Sequence, residues 1–174
     1  MVLIFIALAL AGCIHQAPPQ RSPQAAPLAA VLLIDRADSA DALPAEVQER
    51  IEQEIAQRNL EARSLDASAL GGTRNTQQRL AQLARVSPDA PWLLLLETRV
   101  VYYDLLQGRF RWIVYGRATV ARRDDLNGAA SSEFEVPVFL SYEHEKEPEA
   151  LRAAARALAD RTGALIDNVL SGRP

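Results

Sequence analysis

The chain has 174 residues, of which 49% are hydrophobic and 24% are charged, and its net charge is −3. This composition excludes an intrinsically disordered chain. The slightly acidic balance supplies no basic surface for a phosphate backbone, so we expect no nucleic-acid partner. The length fits one folded domain, and a single cysteine excludes an internal disulfide.

The first predicted element is an apolar segment at the amino terminus. Residues 1–11, MVLIFIALALA, carry no charge, which is typical of the hydrophobic region of a secretory signal peptide. They are too few to span a hydrocarbon core, which needs about 20 residues. A signal peptide normally begins with positive charge, and none precedes this segment, so we expect a translation start upstream of Met1.

The apolar segment ends in Leu10-Ala11-Gly12-Cys13, which resembles the lipobox of bacterial lipoproteins. The resemblance implies cleavage before Cys13, a diacylglyceryl group on its sulfur and a third acyl chain on its new amino group. Two or more acyl chains anchor a protein stably, because each buried methylene contributes about 0.8 kcal/mol. The next residue is Ile14 rather than aspartate, which favours the outer membrane, with the inner membrane as the alternative. We therefore predict a signal peptide at 1–12 and lipidation at Cys13.

A tether follows the lipidated cysteine. Proline occurs four times between residues 18 and 27, which is typical of an extended spacer with a reach of about 3.1 Å per residue. We assign residues 13–28 to the cysteine and this tether, and residues 29–174 to one periplasmic domain.

The first half of the domain alternates strands and helices. A continuous apolar run at 29–35 predicts a buried strand, and residues 60–66 predict a weaker one. Helices are predicted at 44–59, where apolar residues recur every fourth position, and at 76–86.

The second half begins with three strands. Two long ones, at 92–106 and 109–124, are joined by a two-residue turn at Gln107-Gly108, and a third is predicted at 131–143. Pro137 removes a backbone donor, so we expect the third strand to lie at an edge or to carry a bulge.

The last predicted elements are a turn and a helix. Asn127-Gly128 is a turn signal between the second and third of these strands. Residues 148–170 place apolar residues on one helical face, and we expect Leu158 and Leu165 to be buried against the sheet.

The predicted order is β-α-β-α-β-β-β-α. Crossovers that contain helices imply parallel strands, whereas the last three strands form antiparallel hairpins. The sequence therefore predicts a single domain with a mixed β-sheet and helices packed on it, an α/β class with α+β character.

This order resembles the periplasmic domain shared by the TolB amino-terminal region, the lipoprotein activators of penicillin-binding proteins and the curli secretion-channel family. The similarity includes a helix running into a strand at 80–100, and a strand, turn and returning strand at 118–138. It covers residues 29–170. The chain is too short for the added membrane-spanning hairpins of the curli channel, which argues against a pore.

One candidate metal site lies near the end of the third strand. His144 is flanked by Glu143, Glu145 and Glu147. The H-E-x-x-H spacing on a helix is absent, and successive strand side chains point to opposite faces, whereas zinc needs three or four converging ligands. We interpret this segment as a solvated strand end.

Other polar clusters also lack a known catalytic or ligand spacing. Asp35, Asp38 and Asp41 do not match the alternate ligand positions of an EF-hand loop, and we interpret them as helix-capping loop residues, with calcium as the alternative. Gly71-Gly72-Thr73 lacks the lysine of a phosphate-binding loop and is interpreted as a turn. Because no G-x-S-x-G motif is present either, the sequence predicts no catalytic site, no cofactor and no metal.

Aromatic residues are concentrated in the three strands. Nine of them fall between residues 92 and 142: Trp92, Tyr102, Tyr103, Phe110, Trp112, Tyr115, Phe134, Phe139 and Tyr142. We expect most of them to fill the core opposite small helix residues. Those near the Gln107-Gly108 turn are predicted to form a partner surface, with Tyr103, Phe110 and Trp112 as its contact residues.

The two-residue turn also predicts a register for the hairpin. It places Asp104 opposite Arg111 and Tyr103 opposite Trp112. Tyr102 then lies on the other face, beside Ile113.

Together these features predict a non-catalytic envelope lipoprotein, an adaptor or assembly factor that binds another envelope protein or assembles with itself. The membrane is contacted through the acyl chains on Cys13. The alternative is a lipopolysaccharide-transport lipoprotein that handles lipid or glycan directly. A basic groove, or an apolar cavity between helices and sheet, favours that alternative, whereas a closed core with an aromatic or strand-edge surface favours the adaptor.

Overall fold

The computed structural model describes residues 27–35, 41–70, 75–141 and 146–172. Within these ranges the strands and helices are β1 (Leu28–Asp35), β2 (Asp41–Ala42), α1 (Ala45–Ala56), β3 (Glu61–Leu65), α2 (Thr76–Val86), β4 (Trp92–Leu106), β5 (Arg109–Arg122), β6 (Asp125–Leu140) and α3 (Glu147–Leu170). A short 3₁₀ helix, Ala67–Leu70, precedes α2.

All the strands belong to one mixed sheet. β1 pairs in parallel with β3 on one side and with β4 on the other, and β4, β5 and β6 are successive antiparallel neighbours. β2, which the sequence did not predict, adds two residues antiparallel to the end of β1. β6 lies at the sheet edge, as Pro137 predicted. The predicted fold class, a single mixed sheet with helices packed on it, is confirmed.

Helices cover both faces of this sheet. α1 and α3 pack on one face over the larger core, which includes Val47, Ile51, Ile55, Leu94, Leu96, Val114, Leu151, Leu158 and Ile166. On the opposite face α2 buries Leu80 and Leu83 against Leu93 and Leu95. The two faces follow from the alternation of side chains along β4, since from Leu93 to Tyr102 the odd-numbered residues point to α2 and the even-numbered residues to α1 and α3.

Helix α3 is the longest helix of the described chain. It begins with Glu147 and has Pro148 in its first turn, a position where the missing N–H of proline costs no helical hydrogen bond. Leu158 and Leu165 are buried, as predicted, while the side chain of Arg156 on the opposite side is 82% exposed.

Arg58 joins the ends of α1 and α3. Its guanidinium donates hydrogen bonds to Glu54 Oε2 at 2.8 Å, to Asp167 Oδ2 at 2.9 Å and to the Gly163 carbonyl at 3.1 Å. Partial burial acts to lower the pKa of Arg58, but the hydrogen bonds that it donates to Asp167 and Glu54 outweigh this effect, and the pKa is raised above its ordinary value. These bonds fix the carboxyl ends of the two helices together.

Several element boundaries differ from the sequence-based expectation. Helix α1 ends at Ala56 rather than at residue 59, because Asn59 has φ 56°, a left-handed conformation that ends helices. β5 ends at Arg122 rather than at residue 124, and β6 starts at Asp125 rather than at residue 131.

The predicted turn at Asn127-Gly128 is wrong, because these residues lie inside β6 and the chain turns at Arg123 and Asp124. The register of the pairing explains the misleading signal. Residues 126–129 of β6 all lie opposite Ala121, since Arg122 pairs with Asp125 and Val120 with Ala130. The Asp125 carboxylate accepts a hydrogen bond from the Gly128 N–H at 2.9 Å, so the turn-forming residues close a bulge in the strand.

Several predictions fall outside the described residues. These are the signal peptide at 1–12, Cys13, most of the tether, Asp38, Gly71-Gly72-Thr73 and His144. Among the residues that the structure does describe, no helix is long and apolar enough to cross a membrane.

The packing of α3 can be tested with Leu158→Asp. Because Leu158 is fully buried, an unpaired carboxylate there should cost about 4 kcal/mol or more of the free energy of unfolding. Thermal melts should show loss of most of the folded population. Arg156→Asp is the matched control, and it should melt close to the unchanged protein, within about 0.5 kcal/mol. Equal melting of the two variants would mean that α3 does not pack as described.

Candidate functional site

The β4–β6 strands are longer than the helices that cover them. β4 and β6 have 15 and 16 residues, about 50 Å at 3.3 Å per residue. α3 with 24 residues extends about 36 Å, and α2 with 11 residues only about 16 Å, at 1.5 Å per residue. The hairpin end of the three strands therefore projects beyond helix cover, most of all on the α2 side.

On the α2 side the side chains of β4, β5 and β6 form successive cross-strand rows. After the residues under α2, the rows are Glu97, Arg117 and Glu133; Arg99, Tyr115 and Glu135; Val101, Ile113 and Pro137; Asp104, Arg111 and Phe139. We call the last three rows, together with Tyr103, the open face. It combines charged and apolar side chains on a rigid sheet.

The first row holds a buried ion pair at the amino end of α2. The side chains of Arg79 and Glu97 are 1% and 6% exposed and form a salt bridge. Thr76 donates a hydrogen bond from Oγ1 to Glu97 Oε2 at 2.9 Å. Such a pair is satisfied only while both partners are present, because either charge alone would be buried without compensation.

A groove of about 570 Å³ lies between the start of α2 and the strands. Its lining includes three arginines and three glutamates, namely Arg79, Arg99, Arg117, Glu97, Glu133 and Glu135. Arg117 forms a salt bridge with Glu133, and the Arg99 guanidinium stacks on the Tyr115 ring at 4.9 Å from its centroid. The formal charges of the lining balance, so this is not the basic groove expected for a lipopolysaccharide handler.

The core between α1, α3 and the sheet is closely packed. A cavity there, lined by Ile55, Leu94 and Ile166 among others, has a volume of about 10 Å³. That is room for about one water molecule and none for an acyl chain.

The turn of the β4–β5 hairpin is the predicted two-residue turn. Gln107 and Gly108 have φ 51° and 76°, and Leu106 pairs with Arg109. Two successive positive φ values are those of a type I′ turn, whose twist matches that of the flanking strands. The predicted pairing of Asp104 with Arg111 is also confirmed.

The predicted pairing of Tyr103 with Trp112 is wrong. A bulge between Tyr102 and Asp104 leaves Tyr103 without a cross-strand partner, so Tyr102 pairs with Trp112 and Val101, not Tyr102, lies beside Ile113. The bulge turns Tyr103 to the α2 side, where the Arg111 guanidinium lies 4.0 Å from its ring centroid. The sequence did not predict this bulge, because both strands are apolar on both faces near the turn and a shift of one residue does not change that pattern.

Large apolar side chains are exposed at the end of the hairpin. The exposed fractions are 46% for Tyr102, 58% for Tyr103, 55% for Leu105, 45% for Leu106 and 47% for Phe139. We call these five residues the hairpin tip. Monomeric soluble proteins rarely expose a contiguous apolar patch of this kind without a binding role.

The three predicted contact residues differ in how far they are exposed to solvent. Tyr103 is exposed and Phe110 is half-buried, whereas Trp112 is 8% exposed and belongs to the core. Trp112 packs edge-on against Tyr102, with ring centroids 5.3 Å apart, so it supports the surface from beneath. The sequence analysis did not identify Tyr102, Leu105, Leu106 and Phe139 as surface residues. The apolar residues that continue along the strand up to its turn could have indicated them.

The β6 edge next to this surface has features that oppose the addition of a further strand. Pro137 lacks an N–H, and Glu133 and Glu135 are exposed on the strand. Proline and charge on an edge strand oppose pairing with a further strand. This edge is therefore a poor site for the addition of a further strand.

Metal ligands do not cluster in the described part of the chain, where no group of three histidine, cysteine, aspartate or glutamate residues is placed to hold an ion. His144, Glu143 and Glu145 of the predicted cluster lie outside that part, and Glu147 is the first residue of α3.

Comparisons with known proteins found neither a matching family model nor a matching curated protein. Among solved structures, the chain is similar to a minor lipoprotein from Acinetobacter baumannii, at 11% identity and a TM-score of 0.47, covering 84% of this chain and 96% of that one. It is similar to the PelC dodecamer from Paraburkholderia phytofirmans, at 11% identity and a TM-score of 0.43, covering 79% and 87%. It is also similar to lipoprotein GNA1162 from Neisseria meningitidis, at 10% identity and a TM-score of 0.41, covering 84% and 99%.

Bacterial lipoproteins recur among these neighbours, which include a further one from Caulobacter crescentus. At identities of 15% or less and TM-scores below 0.5, the likenesses assign no family and carry no conclusion about function. The resemblance to the TolB, penicillin-binding-protein activator and curli channel domains therefore stays a prediction.

The buried ion pair can be tested by removing one partner and then both. Glu97→Leu leaves Arg79 charged and buried, which should cost about 3–5 kcal/mol of the free energy of unfolding. Arg79→Met combined with Glu97→Leu should recover most of that loss in urea denaturation. As the matched control, Glu133→Leu breaks the exposed pair with Arg117 and should cost less than about 1 kcal/mol. A double variant as unstable as Glu97→Leu alone would contradict the account.

Proposed function

We propose that this chain is a non-catalytic lipoprotein of the bacterial outer membrane that binds a protein partner through its hairpin tip. The observation that supports the proposal is the exposure of five large apolar side chains at one end of the three strands: Tyr102, Tyr103, Leu105, Leu106 and Phe139. Tyrosines with an adjacent arginine are typical of protein interfaces, and Arg111 stacks on Tyr103 of the tip.

The tip is apolar on both sides of the hairpin. Tyr102 and Leu105 point to the α1 and α3 side, where Phe110 and Trp112 lie beneath them. Tyr103 and Leu106 point to the α2 side with Phe139. A partner that contacts both sides of the hairpin buries this apolar area. Burial of apolar area is the main favourable contribution to the free energy of most protein associations.

Geometry favours a protein partner over a lipid or glycan. The charges that line the groove balance, and the cavity under α1 and α3 has room for only about one water molecule. Neither site supplies the basic groove or apolar cavity that the alternative function needs.

The direction of β1 supports a partner away from the anchoring membrane. β1 runs parallel to β4, and Ala29 pairs with Trp92 at the end of the sheet opposite the hairpin. The tip lies about 45 Å from that end, at 3.3 Å per residue of β4. A tether from lipidated Cys13 enters at the Ala29 end, so the tip extends into the periplasm.

The anchor can be tested with Cys13→Ser. We expect this variant to lose label from a fatty-acid analogue and to accumulate as an unprocessed or soluble form, because thioether lipidation at this residue is the proposed attachment. Membrane fractionation with metabolic labelling measures both effects. Retention of the label in the variant would contradict lipidation at Cys13.

The tip can be tested with Tyr103→Ser combined with Leu105→Ser. Truncating two exposed anchors should weaken the partner complex by about tenfold or more, while the melting midpoint changes little. Crosslinking in intact cells, followed by blotting for discrete adducts, measures the binding.

The matched control for the tip variant is Val86→Ser combined with Leu170→Ser. Val86 and Leu170 are also exposed apolar residues, at 40% and 43%, but they lie away from the hairpin. The control should keep every adduct. If the tip variant melts normally and keeps the same adducts, the tip is not the interface.

A further inference from the structure

We infer that the groove beside the start of α2 binds a short peptide of two or three residues with both ends free. Arg99 holds the peptide's terminal carboxylate, and Glu135 holds its terminal ammonium. The five hairpin-tip residues all lie outside the lining of this groove. The groove is therefore a second binding site, separate from the surface proposed above.

Four of the six charged side chains that line the groove pair with each other. Arg79 pairs with Glu97 at the buried inner wall, and Arg117 pairs with Glu133 on the exposed side. Each of these charges is compensated within the chain. One arginine and one glutamate of the lining remain.

These two residues, Arg99 and Glu135, lie in one cross-strand row with Tyr115 between them. The Arg99 guanidinium is stacked over the Tyr115 ring, 4.9 Å from its centroid. Both charged residues are exposed, and neither forms an ion pair within the described part of the chain. A cation and a carboxylate thus lie in one row without contacting each other, an arrangement that fits a ligand carrying both charges.

The spacing of the strands limits the length of the ligand. The Cα atoms of residues two strands apart in one row are separated by about 10 Å, which is also the span of three extended peptide residues. The guanidinium of Arg99 leans over Tyr115 towards β6, so the two charges lie closer together and a dipeptide also fits. The volume of about 570 Å³ is in the range of small-ligand sites, about 300–1,000 Å³.

The start of α2 favours one direction of the peptide. Asn75 and Thr76 line the groove, and the first turn of α2 has no acidic residue. The first N–H groups of a helix lack intrahelical acceptors and carry partial positive charge. On the other side of the groove β6 presents two exposed glutamates, Glu133 and Glu135. A peptide carboxylate is therefore favoured beside α2 and Arg99, and an ammonium beside β6.

The buried ion pair keeps the inner wall of the groove polar. Arg79 is almost fully buried and lines the groove together with Glu97. Stability alone does not require this pair, because apolar residues of similar volume are often as stable as a buried ion pair. A polar wall suits a ligand whose backbone carries N–H and C=O groups.

Equilibrium dialysis of labelled trialanine against the full-length chain in detergent tests the inference. We expect saturable binding. Trialanine amide lacks the carboxylate and acetyl-trialanine lacks the ammonium, so each should compete at least about tenfold less well, because each loses a charge-assisted hydrogen bond. Free alanine should also compete less well, because it does not reach both charges as a peptide does.

Three results would overturn the inference. The first is the absence of saturable binding. The second is equal competition by a trialanine blocked at both ends, because the charges of the ligand would then play no part. The third is competition by free alanine equal to that of trialanine, because the site would then take a free amino acid.

Two variants assign the ends of the peptide. Arg99→Gln should weaken trialanine about tenfold and leave trialanine amide unchanged, since that peptide no longer has the group that Arg99 contacts. Glu135→Gln should weaken trialanine about tenfold and leave acetyl-trialanine unchanged. An equal loss of trialanine and trialanine amide in Arg99→Gln would contradict the assigned direction.

Arg85→Gln and Glu49→Gln are the matched controls, because both residues are exposed charges outside the lining of the groove. Both controls should bind trialanine as the unchanged protein does. All four variants alter exposed side chains and should melt within about 0.5 kcal/mol of the unchanged protein. If Arg99→Gln and Glu135→Gln bind trialanine as well as the controls, the groove is not the site. The crosslinked adducts of the hairpin tip test the proposed function separately, so either account can fail alone.

Discussion

The unequal lengths of the strands and the helices determine most of this structure. A sheet face must be covered to bury its apolar side chains. Helix α2, however, is short, and its apolar side chains cover only the rows of Leu93 and Leu95. On the α2 side, the far half of β4, β5 and β6 is therefore not covered by a helix. Its side chains form charged rows, then an apolar row, and aromatic residues lie at the tip. The exposed surface is the part of the sheet that the helices of the described chain do not cover.

The projecting strands stay ordered through contacts made within the hairpin. A type I′ turn sets the register, Asp104 pairs with Arg111 at 3.1 Å, and Tyr102 packs on both Phe110 and Trp112. At the other end of the open face, the Arg79 and Glu97 pair fixes the start of α2 to β4. The side chains of the proposed interface thus lie on a preorganised scaffold, which would reduce the entropy lost on binding.

Local patterns predicted the elements well, because helix and strand periods are short-range properties. The ranges 76–86 and 92–106 match α2 and β4, and the predicted fold class is correct. What failed depends on contacts between strands. The bulge at Tyr103 shifts the pairing of Trp112. The residues predicted as a turn, Asn127-Gly128, lie instead in the bulge that Asp125 closes. Trp112 lies in the core rather than on the predicted surface, because composition does not tell which face of a strand a helix covers.

Site-specific photo-crosslinking in living cells tests the central claim most directly. A benzophenone amino acid would replace Leu105 at the tip in one strain and Arg156 on exposed α3 in another, in the otherwise unchanged full-length chain. The account predicts discrete crosslinked protein adducts from position 105 and none from position 156. Adducts from position 156 with none from position 105 would contradict it, because the contact surface would then lie on the helices and not on the uncovered end of the sheet.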